Sequence, residues 1–258
     1  MKPRIHPSAI ISPSAKLGVD VEVGPFAIIG DDCTVGDGCV ISARATLERY
    51  VTLGKNVKVG IGTVLGSDPQ DLKFKGERTT VEIGDNTVIR EYSTINRGTS
   101  QSFKTSVGPN SFIMSYVHLA HDCHVGEGVI LANMVQLAGH VTIEDRVILS
   151  GITAVHQFTR IGRNAIVGGC SRVSKDVPPF VKAVGNPMKL YGLNSIGLQR
   201  NGFSPETILE LKRAYRLLFR SDLNISDAIE RVNVEVPQIP EVVQLIRFLE
   251  SSERGVAI

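Results

Sequence analysis

The chain has 258 residues, 42% apolar and 21% charged, with a formal net charge of +2. Those proportions are those of a soluble globular protein. With no long apolar run and no signal-like character in "MKPRIHPSAI", neither a membrane span nor a secretory leader is expected. No stretch resembles a nucleic-acid-binding motif, so no nucleic-acid partner is expected either.

Written in sixes from Ile5, the sequence reads IHPSAI, ISPSAK, LGVDVE, VGPFAI, IGDDCT, VGDGCV. Between positions 5 and 173 the first place of the six recurs 29 times, and 26 of those residues are Ile, Leu or Val. The exceptions, Asp71, Glu77 and Gln101, mark two interruptions, at about 71–82 ("DLKFKGERTTVE") and 101–106 ("QSFKTS"). The fifth place is small in the regular parts, as at Ala9, Ala15, Val21, Ala27, Cys33, Cys39 and Cys123.

A period of six is neither helical nor simple strand alternation. It is the signature of a parallel β-helix, in which each hexapeptide is a short strand plus a turn. Three hexapeptides make one triangular coil of about 18 residues, and stacked coils bury one aliphatic column. The first-place residue fills the prism, the small fifth-place residue fits near the corner, and Gly at the second place is expected to relieve turn strain. Cys33, Cys39 and Cys123 fall at the inward small place as inert thiols, with Cys170 one place off and also structural. The four cysteines form no C-x-x-C pair, which points to a reducing, cytoplasmic setting.

The period stops after "KDVPPF" (175–180). In "SPETILELKRAYRLLFR", Ser204 is a candidate N-cap, Pro205 stands at the first helical position, and Ile208, Leu211, Ala214, Tyr215 and Leu218 follow helical spacing. Shorter helices are expected around 226–232 and 240–253. The expected organisation is therefore a β-helix over 1–189 and a small α-helical C-terminal domain over 190–258. From 158 to 220 there are eleven Lys and Arg against three acids, and from 221 to 258 three against seven. A basic zone before an acidic tail suggests an acidic partner.

Four of the six histidines lie in "YVHLAHDCHVGEGVILANMVQLAGH" (116–140). His121 takes the third place of LAHDCH, an outward turn position. Eighteen residues on is Gly139, beside His140; another eighteen on is Gln157, beside His156. Such a band could ligate zinc, decorate a surface, or supply a general base. In the last case Asp122 would orient the imidazole, and the Gly139 amide would face a developing oxyanion. No protein nucleophile is needed if the substrate brings its own hydroxyl.

The motifs "PQDLKFKGE", "HLAHDCHVG", "QLAGHV", "TAVHQF", "VGGCSRV", "DVPPF" and "SSERG" resemble, in order, those of the UDP-N-acetylglucosamine 3-O-acyltransferase family of lipid A synthesis. The resemblance implies a left-handed β-helix, a homotrimer with active sites between subunits, and no cofactor or metal. It implies transfer of a 3-hydroxyacyl chain from acyl carrier protein to the 3-hydroxyl of the sugar nucleotide. By the same match His121 is the general base, Asp122 its partner and Gly139 the oxyanion donor. Asp71, Lys73, His118, His140 and Gln157 would hold the sugar nucleotide or position the acyl chain. Asn194 and Arg200 would contact uridine and phosphate, and Gly169 would limit acyl length.

Gly169 follows His121 by 48 residues, not a multiple of eighteen, so the two meet only if a second subunit brings Gly169 across. The chain departs from well-known members at Ile196, Asn201 and Pro187, where they carry an acid, Arg and His. An N-acyltransferase acting on a 3-amino sugar nucleotide and an acetyl-CoA-dependent sugar N-acetyltransferase on the same prism are the alternatives. The related N-acyltransferase of the same pathway carries a large domain before its repeats, whereas repeats begin here at Ile5.

Overall fold

A computed structural model describes residues 2–258. The chain winds a left-handed parallel β-helix with three sheets of eleven, nine and eight strands. Most strands are two residues long, and each pairs in parallel with the equivalent strand of the next coil. The regular step is 18 residues, as where Lys16 lies beside Thr34. It lengthens to 30 where Lys58 pairs with Val88, and to 24 where Thr94 pairs with His118. The two interruptions are thus excursions of two hexapeptides and one, after which the register resumes.

First-place residues such as Ile29, Leu47, Ile95 and Leu119 are fully buried, and so are fifth-place Ala27, Ala45, Val117 and Val129. Parallel pairing buries both in one column, which is why the pattern survives almost unbroken. Cys33, Cys39 and Cys123 stand in that column, and burial pushes the Cys123 thiol up to about 12. Cys170 does not: it is exposed at a corner with φ 56°.

The second-place glycines have a different cause from the one expected. The left-handed backbone falls at the fourth place, on eighteen non-glycine residues from Asp20 to Cys170. A second-place Gly is needed because the next coil passes too close. A Cβ on Gly24 would lie 2.8 Å from the Ala43 nitrogen, a distance that backbone cannot concede.

The last coil is closed by an antiparallel hairpin, Val181–Gly185 with Met188–Leu193. The second of these strands runs across the boundary expected at 189, because its pairing continues the eleven-stranded sheet. Four helices follow: α1 (Ser195–Arg200), α2 (Pro205–Arg220), α3 (Ile225–Glu235) and α4 (Pro240–Glu250). Ser204 caps α2 by accepting from the Thr207 amide. The C-terminus returns to the prism through Asp176, whose carboxylate accepts from Ser252 Oγ at 2.7 Å and from the Arg160 amide at 2.8 Å. Among the described residues no helix is long and apolar enough to cross a membrane.

Candidate active site

His121 and Asp122 sit at the corner between strand His118–Leu119 of the nine-stranded sheet and His124–Val125 of the eight-stranded one. Asp122 adopts φ 60°, a conformation Asp tolerates better than most side chains. It is 1% exposed and surrounded by donors. Oδ1 accepts from the Thr99 amide at 2.9 Å, the Ser102 amide at 3.3 Å and the Ser102 hydroxyl. Oδ2 accepts from the Thr99 hydroxyl at 2.7 Å and faces His121 Nδ1 at 2.8 Å. The Asp122 amide donates to Thr105 Oγ1 at 2.9 Å. Burial opposes ionisation here, but the hydrogen bonds from Ser102, His121 and Thr99 outweigh it and hold the carboxyl at about 2.

An ionised carboxylate only accepts, so the neutral imidazole of His121 carries its proton on Nδ1 and leaves the Nε2 lone pair free. Gly139 lies against that edge of the ring: an added Cβ would be 2.6 Å from Cε1 and 2.8 Å from Nε2. His140 stands edge-on to His121 with centroids 5.0 Å apart, and Phe158 of the next coil stacks on His140 at 4.5 Å. Burial, as the largest cause in each case, pulls His118, His124 and His140 below the ordinary imidazole value. They therefore stay neutral near pH 7.

The ring faces an open groove of about 470 Å³ lined by Gln70, His118, His121, Gln136, Gly139 and Gln157, with Ala120, Leu137, Ala138, Ala154 and Val155 as its apolar floor. No Ser, Cys or Lys is among those lining residues. His118 Nδ1 lies 2.7 Å from Thr94 Oγ1. Asp71 and Lys73 project from the first excursion, where Asp71 Oδ1 accepts the Lys73 amide at 2.9 Å. Asp71 is close enough to His140 for its charge to act on that imidazole.

Three expected residues lie elsewhere. Gly169 is exposed at a different corner, between the eleven- and nine-stranded sheets. Asn194 is buried and caps α1, accepting from the Gly197 amide and donating to the Asn164 carbonyl at 2.9 Å. Arg200 is exposed in the last turn of α1. Of the departures, Asn201 donates to Asn164 Oδ1 at 2.6 Å, a packing role, while Ile196 is 66% exposed.

Thr99, Ser102 and Thr105 were not singled out in the sequence, although the break at 101–106 was the signal: the extra hexapeptide brings the Ser102 and Thr105 hydroxyls, with that of Thr99 just before it, around Asp122. His121, Asp122 and His140 also have ligand atoms within 4.8 Å of one another. Five donors already converge on the two Asp122 oxygens, more than the roughly four lone-pair sites a carboxylate offers. The Asp122 carboxylate is thus fully engaged by protein donors, with no lone pair left over for a metal ion.

A hexapeptide prism with a carboxylate-braced histidine over an open groove defines a hexapeptide transferase. The family model described as bacterial transferase hexapeptide matches residues 14–49 and 104–139, and that described as UDP-N-acetylglucosamine O-acyltransferase, domain 2, matches 176–257. An acyl-[acyl-carrier-protein]–UDP-N-acetylglucosamine O-acyltransferase of Thermodesulfovibrio yellowstonii is 49% identical over 195 residues, 75% of this chain and 76% of that one. The crystal structure of a UDP-N-acetylglucosamine acyltransferase from Bacteroides fragilis superposes with a TM-score of 0.97 at 44% identity, covering 98% of this chain and 100% of that one. The Francisella novicida enzyme of that name gives 0.94 at 36% identity, covering 98% and 93%. The chain belongs to the acyl-[acyl-carrier-protein]–UDP-N-acetylglucosamine O-acyltransferase family.

Proposed function

We propose that the chain transfers a 3-hydroxyacyl group from acyl carrier protein to the 3-hydroxyl of UDP-N-acetylglucosamine, the first step of lipid A synthesis, with His121 as general base. The observation that carries the mechanism is the His121–Asp122 pair, set with its free Nε2 against Gly139 at the edge of the groove. Nε2 takes the proton of the sugar hydroxyl as its oxygen attacks the thioester carbonyl. The oxyanion that develops is met by the Gly139 N–H, which donates to no backbone or side-chain acceptor among the described residues. The intermediate collapses, the C–S bond breaks, and the imidazolium returns its proton to the departing thiolate. The Asp122 carboxylate stabilises the imidazolium between those two transfers. The groove lining favours direct transfer, since it offers no hydroxyl, thiol or amine of the protein to acylate.

The working unit is a homotrimer in the cytoplasm. Tyr92, Tyr116, Met134 and Ile152 form an exposed apolar column at the corner that also carries Gly169. Burial against a second copy would hide that column and bring Gly169 towards the partner's groove. Acyl carrier protein, an acidic partner, would be drawn to the basic zone between 158 and 220.

The test is a mass-spectrometric product assay. It offers UDP-N-acetylglucosamine or its 3-amino analogue together with carrier proteins bearing a ladder of 3-hydroxyacyl chains. An O-acylated sugar nucleotide with one preferred chain length is the expected product. Acetyl-CoA is run as a parallel donor; acylation of the amino analogue alone, or transfer only from acetyl-CoA, would contradict the reading.

A further inference from the structure

The loop of the first excursion forms one wall of the groove, through Gln70, yet little of the loop itself is buried. Leu72, Lys73 and Lys75 are exposed, and the loop is not a strand between Ser67 and Thr80. What fixes it comes from the far side. Arg97 is 3% exposed, and nearly all of its hydrogen-bonding capacity is spent on that loop and the strand that leads into it. Nε donates to the Gly66 carbonyl at 3.1 Å, and Nη1 to the Glu77 carbonyl at 3.3 Å and Thr79 Oγ1 at 3.2 Å. Nη2 pairs with the Asp68 carboxylate. The guanidinium thus grips both ends of the excursion at once, with the Tyr50 and Phe74 rings each 5.4 Å from it. Asn96, its neighbour, donates to the Asp68 carbonyl at 2.8 Å.

A buried guanidinium is costly to desolvate and is retained where its rigid fork does something a lysine or an apolar residue cannot. The same short segment continues to Thr99 and Ser102, which hold the Asp122 carboxylate. One stretch of chain therefore sets both the groove wall and the catalytic pair. We propose that Arg97 is a positioning residue for the acceptor substrate: it fixes the loop between Asp68 and Thr79 as a preorganised wall of the groove, at a set distance from His121. The inference deepens the proposed acyl transfer and rests on it for its kinetic test only.

The experiment compares Arg97→Lys, Arg97→Met and the milder Asp68→Asn in the full-length protein. KM and kcat for the sugar nucleotide are measured beside trypsin cleavage after Lys73 and Lys75, which reads the loop without any reaction. Arg97→Met should raise KM by about tenfold or more with kcat changed far less, and speed cleavage by a similar factor. Arg97→Lys should recover part of both effects, and Asp68→Asn should show a smaller rise in both. A lower Tm with KM and cleavage at wild-type levels would overturn the proposal, leaving Arg97 a residue of the fold alone. If Arg97→Met does not fold, the other two variants decide by the same criteria. If wild-type protein acylates no sugar nucleotide, the functional reading fails, while the cleavage rates still judge Arg97.

Discussion

Gly139 and His121 lie one coil apart and so close that a methyl group on Gly139 would stand 2.6 Å from Cε1 of the imidazole. The missing side chain of Gly139 therefore leaves the His121 ring its place, and under the proposed mechanism its amide would also meet the oxyanion. Asp122 prevents the ring from simply turning away, since Nδ1 is tied to Oδ2 at 2.8 Å.

Gly139→Ala keeps the amide and removes the space. Its kcat should fall by about a hundredfold, the usual result of misplacing a catalytic group by an ångström or so. The Tm should change little, because the collision is with a side chain rather than with backbone. Steady-state kinetics and a thermal melt on the same preparation check this; unchanged kcat would show that the ring is not held where the structure places it.

Asp122→Asn should act on both rate and acid stability. The carboxyl titrates near 2 when folded and near 3.9 when unfolded, so between those values the unfolded chain binds more protons. The Asp122 contribution to stability is thus complete above about pH 4 and lost as pH falls towards 2. The wild type should lose stability more steeply than Asp122→Asn across that window, in urea melts at stepped pH. The variant's kcat should also drop by about two decades or more, because the neutral amide cannot stabilise an imidazolium. Parallel stability curves would contradict the assigned titration.

How much of this was open to reading in the sequence depends on what sets each feature. The prism was legible because first-place residues such as Ile29 and Leu119 face one continuous column, so every coil repeats the same constraint. His121 was legible as an outward turn residue for the same reason. The hydroxyls of Thr99, Ser102 and Thr105 were not, because the extra hexapeptide at 101–106 lengthens that coil, so the residues that reach Asp122 cannot be counted back in eighteens. Nor was the purpose of second-place Gly: it follows from the approach of a neighbouring coil, a distance no local pattern contains. The strand Met188–Leu193 escaped because it pairs antiparallel, outside the hexapeptide period.

Lys73→Ala should raise KM for the sugar nucleotide while leaving kcat within a few-fold, the signature of an interaction made equally in ground and transition states. Lys73 is exposed on a loop that bears on the groove, suited to meeting an anionic substrate. Initial rates across a range of acceptor concentrations separate the two parameters. A fall in kcat at unchanged KM would assign Lys73 to the chemical step instead.

Raising salt from about 0.05 M to about 0.5 M should lower kcat/KM for acyl carrier protein substrates, as the Debye length shrinks well below 10 Å. The eleven Lys and Arg between 158 and 220 are the charges being screened. A small acyl thioester without the carrier protein should show little of the effect. Equal salt dependence for both donors would remove the basic zone as a docking surface.

The most direct measurement is the turnover of His121→Ala beside wild type, on protein of equal size by sedimentation. The expected result is a loss of about two decades or more in kcat with the assembly and Tm unchanged, as for a side chain that serves as a base and not a support. A variant that turns over at the wild-type rate would contradict it and return His121 to the surface of a scaffold.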